Sequence, residues 1–256
     1  IGEFTIHKEV VSDKLVDPPV ADLVGPQIPE DIHHNDRVTL FNPSLKKILD
    51  FAAESGLVVM LHNDIYHAKV KHDGTVELVE PNVTYVSALK QLCASSPDAK
   101  VIWAHTGLGR FVAPAANHLT LVADVLKSCK NWSTDISWDI VQKYITQPQS
   151  DQPPFEDWKT FFVFYQDRVL FGSDNVFYKR AIFDGHGAVI PGERQTLSDY
   201  TAVQQGYSQL WQDLGPTVAK KIKYGNYDAL FNGARTKVRS WETVHKNDDV
   251  WSLPPP

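Results

Sequence analysis

Apolar residues run through this chain in two alternating modes. In FNPSLKKILDFAAESG, residues 41–56, Leu45, Ile48, Leu49 and Ala52 fall at i, i+3, i+4 and i+7, one face of a helix. Asn42 stands where an N-cap belongs, Pro43 at the first helical position and Gly56 just past the end. LVVMLH, 57–62, follows at once as an unbroken apolar run, the pattern of a parallel strand buried on both faces. The alternation then repeats. IGEFTIHKEV (1–10), VIWAH (101–105), STDISW (133–138) and RVLFGSD (168–174) read as strands, while about 82–94, about 111–127 and the chain from Leu197 onward read as helices. AKVKHDGTVELV alternates around Asp73-Gly74 and predicts a hairpin inserted at about 68–80. Strands alternating with helices predict parallel βαβ units, in a barrel or a doubly wound sheet. The sequence holds no glycine-rich dinucleotide fingerprint and no phosphate loop, which weakens the doubly wound form.

Composition narrows the partners. The chain has 256 residues, 43% hydrophobic and 22% charged, enough for a sizeable core. Its net charge of −6 and the lack of a Lys/Arg run argue against nucleic acid, and no apolar stretch reaches the ~18–20 residues of a membrane span. A small-molecule substrate and, as an option, a homo-oligomer remain as partners. The two cysteines, Cys93 and Cys129, each fall in helical sequence and are expected to be buried free thiols. Two sequons, Asn82-Val-Thr84 and Asn131-Trp-Ser133, matter only if the protein is secreted. The compartment stays open, with the cytoplasm slightly favoured. The opening IGEFT reads as a strand already under way, with no Met and no signal-peptide pattern. The expectation is processing, a shortened chain or an upstream portion. One domain is expected over 1–239, with a tail over 240–256 wrapping the surface.

Candidate chemistry sits at the ends of strands. Glu3, His62, His105 and Asp174 each close a strand candidate, and in a β/α barrel those ends converge on the active face. Two imidazoles and two carboxylates suit a divalent metal, Zn²⁺ foremost, with Mn²⁺ or Fe²⁺ as alternatives. Each residue also has a plainer reading. A lone histidine after a strand is usually a hydrogen-bonded core residue, Asp174 after Gly-Ser could cap a helix, and Glu3 could be an exposed terminal residue. The recurrence at strand ends is what favours the metal, because burying four ionisable groups is costly unless they are paired or ligated. Gly107 and Gly109 read as a tight turn that keeps side chains out of the pocket mouth.

The segments GEFTIHKE, VVMLHND, VIWAHTGLGR, STDISWD, RVLFGSD and NYDALF, in this order over roughly 1–235, resemble the metal-dependent amidohydrolase superfamily. The nearest likeness is to its amidohydrolase-related branch of TIM-barrel hydrolases and decarboxylases. The resemblance implies an α/β fold of (β/α)8 type in which Glu3 ends the fourth strand, His62 the fifth, His105 the sixth and Asp174 the eighth, with DISW as the seventh. It departs from the family in one respect. The His-x-His of the first strand is missing, and the adjacent pair His33-His34 does not replace it. An upstream segment completing the barrel is therefore expected.

What the resemblance implies for chemistry is a metal-dependent hydrolase acting on a C–N or C–O bond of a small, possibly anionic, substrate. His62 and His105 would bind the metal, Glu3 would be a ligand or bridge, and Asp174 would be a ligand that also orients the water and acts as general base. Lys8, Arg110, Tyr178 and Arg180 follow the strand ends and could meet a carboxylate or phosphate, against a plainer reading as solvated surface groups. The hairpin around Asp73-Gly74 and the loop from Phe177 to Gly192 could border the pocket. A decarboxylase or other lyase on the same scaffold, and a non-catalytic barrel relic, remain open.

Overall fold

The computed structural model describes residues 1–7, 40–70, 76–78, 84–109, 113–174 and 197–246. Five parallel strands form one sheet: β1 (Glu3–His7), β2 (Val58–Asn63), β5 (Lys100–Trp103), β6 (Trp132–Asp135) and β7 (Val169–Leu170), in that spatial order. Each strand lies beside its predecessor, and the order never reverses as it would at the switch point of a doubly wound sheet. This is barrel-type winding, and the fold class is α/β with the barrel partly present. The hairpin stands apart as β3 (Ala68–Val70) and β4 (Val76–Leu78), paired antiparallel.

The helices between strands cover one face of the sheet. α1 (Pro43–Ser55) forms as its punctuation predicts. The Ser44 N–H donates to the Asn42 side chain, and Gly56 closes the helix at φ 88°, its N–H bonded to the Ala52 carbonyl. Its apolar face buries Leu45, Leu49 and Ala52. α2 (Val86–Ser95), α3 (His118–Ser128), α4 (Asp139–Thr146) and α5 (Phe155–Phe164) follow, then α6 (Leu197–Gly206) and α7 (Ser208–Lys220). A wide turn at Lys221–Gly225 leads into α8 (Asn226–His245). Val59, Leu61, Val101, Trp103, Trp132 and Val169 point towards the outer helices and form the main core. The opposite face holds a small second cluster, in which Val58, Met60, Ile102 and Leu170 meet Leu230, Phe231 and Ala234 of α8.

Several sequence expectations shift. The helix expected at about 111–127 begins only at His118, because Pro114 keeps its predecessor out of the helical region and residues 113–117 stay irregular or turn. The STDISW strand is β6, Trp132–Asp135, and the RVLFGSD strand shrinks to Val169–Leu170. The helical expectation after Leu197 is interrupted at Gly215 (φ 71°) before Pro216. The proposed tail boundary falls inside α8, which runs through 240 to His245. Cys93 and Cys129 are a disulfide rather than free thiols. α2 and α3 pack side by side, which brings the two Cα atoms to 5.8 Å, within bridging reach. Among the described residues no helix is long and apolar enough to cross a membrane.

Candidate metal centre

Parallel pairing puts the strand ends on one rim. Glu3 opens β1 rather than closing it, contrary to the sequence expectation; it shares a level with Met60 and Ile102, and His62 pairs with Thr5 two positions further along. Period-two alternation sends Val59 and Leu61 into the helix-covered core, so His62 faces the opposite side with Met60. One ligand atom each from Glu3, His62 and His105 lies within 4.8 Å of the others. That spacing fits donors about 2.0–2.2 Å from one divalent ion. His62 is fully buried, with Nδ1 3.0 Å from Glu3 Oε1 and Nε2 3.1 Å from Asp64 Oδ1. Both contacts are hydrogen bonds only if both ring nitrogens carry protons. A cation at one of them would replace a proton, and the opposite carboxylate would orient the ring. The donor set therefore fits a hard-to-borderline divalent metal.

His105 is held from behind. Its backbone N–H donates to Asp135 Oδ1 at 3.0 Å, and its Nδ1 lies 2.9 Å from Ser137 Oγ. The Ser137 hydroxyl donates to Asp135 Oδ1 at 2.7 Å, so its lone pair faces Nδ1 and the proton of His105 belongs there. Nε2 is left as the basic nitrogen, 3.8 Å from Asp174 Oδ2. Burial alone would raise the Asp135 pKa, but the hydrogen bonds from His105 and Ser137 outweigh it and hold the carboxyl below its usual range. Asp135 is thus an anionic anchor beneath the histidine.

The backbone around this rim is strained. Among the described residues four non-glycine positions have positive φ: His105 (57°), Thr106 (54°), Trp138 (87°) and Asp174 (41°). All four lie just past the ends of β5, β6 and β7. Such conformations cost of order 1–3 kcal/mol each and cluster at functional sites. The two glycines serve packing rather than an open mouth. A Cβ on Gly107 (φ 72°) would strike the Trp103 ring at 2.2 Å, and one on Gly109 would meet the Asp64 carboxylate at 2.5 Å.

A cavity of about 220 Å³ opens beside His105. Glu3, Asp135, Ser137 and Asp174 make its polar side, while Met60, Ile102, Leu170, Phe171, Tyr227 and Phe231 make the rest apolar. The structure thus gathers Glu3, His62 and His105 around one point and sets Asp174 at the edge. Lys8, Arg110, Tyr178 and Arg180 lie outside the described residues, as do the hairpin tip and the loop from 177 to 192. Sequence reasoning missed Asp64, Asp135 and Ser137. The signal was an i, i+2 step, His62-Asn63-Asp64 and Asp135-Ile136-Ser137, at two of the strand ends already singled out.

A family model described as amidohydrolase matches residues 22–232. The crystal structure of an uncharacterized TIM-barrel protein from Bordetella bronchiseptica is similar at 16% identity with a TM-score of 0.47, over 78% of this chain and 54% of that one. The chain therefore spans about half the length of that protein. No curated protein matches.

Proposed function

This chain belongs to the amidohydrolase family, and from that premise we infer a metal-dependent hydrolase that cleaves a C–N or C–O bond of a small substrate. The observation that carries this reading is the convergence of Glu3, His62 and His105, with the Nε2 face of His105 turned to the pocket by Ser137 and Asp135. Glu3, His62 and His105 would hold a divalent ion, Zn²⁺ by the donor set, which would supply Lewis acidity and lower the pKa of a water towards about 7. The remaining steps belong to the chain. Asp174, beside His105 Nε2, takes the proton of the attacking water and returns it to the leaving group. The apolar wall of Tyr227, Phe231, Ile102 and Leu170 holds the body of the substrate and excludes water. An anionic group on the substrate would be met by Lys8 and Arg110.

One observation favours a lyase as the second reading. Among the described residues the three donors surround a single point, and a decarboxylase needs one cation to anchor its substrate rather than two. For compartment, the Cys93–Cys129 bridge supports oxidising surroundings over the cytoplasm.

Metal content by mass spectrometry is the direct test. The protein should retain divalent metal, and His62→Ala and His105→Ala should lose it while keeping their far-UV circular dichroism. A protein that binds no divalent metal, or variants with unchanged metal content, would overturn the ligand assignment and leave the non-catalytic reading.

A further inference from the structure

His62 stands between two carboxylates, and the metal reading uses only one of them. Asp64 comes directly after β2, and its side chain is fully buried with Oδ1 3.1 Å from His62 Nε2. Glu3 meets the other ring nitrogen, Nδ1, at 3.0 Å. The two carboxylates are not equivalent. The Glu3 side chain is 30% exposed and lines the cavity beside His105. Among the described residues Asp64 belongs neither to that lining nor to the donor group of Glu3, His62 and His105. The Nδ1 flank of the ring therefore faces the donor point, and the Nε2 flank faces the protein interior.

The surrounding chain fixes Asp64 in that place. The Asn63 side chain donates to the Asp64 carbonyl at 2.8 Å, and the Ile65 N–H donates to the Gly107 carbonyl at 2.7 Å, so the backbone is tied on both sides. Gly109, past the end of β5, lies against the carboxylate itself. A Cβ there would come within 2.5 Å of Oδ2 and 2.9 Å of Oδ1, so the absence of a side chain is what gives both oxygens their room. Burying a carboxylate is costly unless it is hydrogen-bonded, and an Nε2–H on His62 is a donor within reach.

We propose that Asp64 is the positioning residue for His62, its buried carboxylate accepting the Nε2 proton so that the Nδ1 lone pair is aimed at the point shared with Glu3 and His105. Gly109 keeps the seat in which the carboxylate does this. The anion behind the ring also makes Nδ1 a more basic donor. Each ligand histidine then has its own buried carboxylate behind it: Asp64 acts on His62 directly, and Asp135 acts on the His105 ring through Ser137.

The inference rests on the metal reading for the ion but not for the place of the proton. The first readout is NMR of metal-free protein, ¹⁵N-labelled at histidine. Glu3→Gln removes the competing carboxylate, and the neutral His62 ring should then carry its proton on Nε2. Asp64→Asn keeps the size of the side chain and should move that proton to Nδ1, towards Glu3. The second readout is Zn²⁺ affinity by chelator competition, expected to fall about 10- to 100-fold in Asp64→Asn. Gly109→Ala should weaken binding too, but should cost nothing further in an Asp64→Ala background, where no carboxylate is left to displace. Leu49→Val, a core change on α1, should leave both readouts unmoved. An Nδ1 proton in Glu3→Gln, or an Asp64→Asn protein with unchanged Zn²⁺ affinity, would overturn the proposal. Should Asp64→Asn fail to fold, the proton position in Glu3→Gln still decides. An Nε2 proton in a protein that binds no Zn²⁺ would keep the role of Asp64 and overturn the metal reading instead.

Discussion

The two faces of the sheet are built on different terms. The helix-covered face buries three tryptophans completely, Trp103, Trp132 and Trp158, among a continuous apolar cluster. The opposite face has only a few apolar contacts with α8 at its lower level and then turns ionisable at the rim, where the backbone is strained. Apolar packing is concentrated on one side and ionisable groups at one end of the other. The polar rim is affordable because the outer core is large: a few strained residues at up to about 3 kcal/mol each are tolerable only over a well-packed layer.

The sharpest way to break that contrast is to cut the outer core. Trp132→Ala should cost about 3–5 kcal/mol in chemical denaturation, whereas Asp174→Asn on the rim should leave the denaturation midpoint within about 0.5 kcal/mol while slowing turnover about 10²- to 10⁴-fold. A large stability loss in Asp174→Asn would mean that the rim is structural after all. Next comes the disulfide. Reduction of Cys93–Cys129, which spans 36 residues, should lower stability by roughly 2–4 kcal/mol. Thiol titration of the native protein should find no free cysteine.

The pH dependence follows from His118. Its folded pKa, about 3, lies below the ordinary 6.5 of an unfolded chain, so between these values the unfolded state binds more protons. Its contribution is complete above about pH 6.5 and is lost as pH falls from there towards about 3. Denaturation midpoints should decline through that window, and His118→Gln should flatten the decline. The smallest effect belongs to the exposed surface: removing the Lys90–Asp124 pair between α2 and α3 should change stability by less than about 1 kcal/mol.

What could be read from the sequence was what local pattern decides. α1 announced both of its ends through Asn42, Pro43 and Gly56, and LVVMLH became β2 with a shift of one residue. Parallel winding and the places of His62 and His105 at or just past strand ends followed from the alternation of elements, whereas Glu3 was read as closing a strand that it opens. What was hidden depended on contacts between distant segments. The pairing of Cys93 with Cys129 required knowing that α2 and α3 lie side by side. Asp135 and Ser137 became supports only when β6 was laid beside β5, and Tyr66 met His118 across 52 positions of chain.

The pairing of β1 with β2 has a kinetic consequence. Glu3 and His62 are 59 residues apart, and nothing local brings them together. Closing a loop of that size carries its entropic cost before any contact rewards it, so this ladder belongs to the slow, late part of folding. The donor set does not exist until the ladder has zipped. A divalent ion should therefore slow the unfolding of the finished protein and leave its refolding rate unchanged.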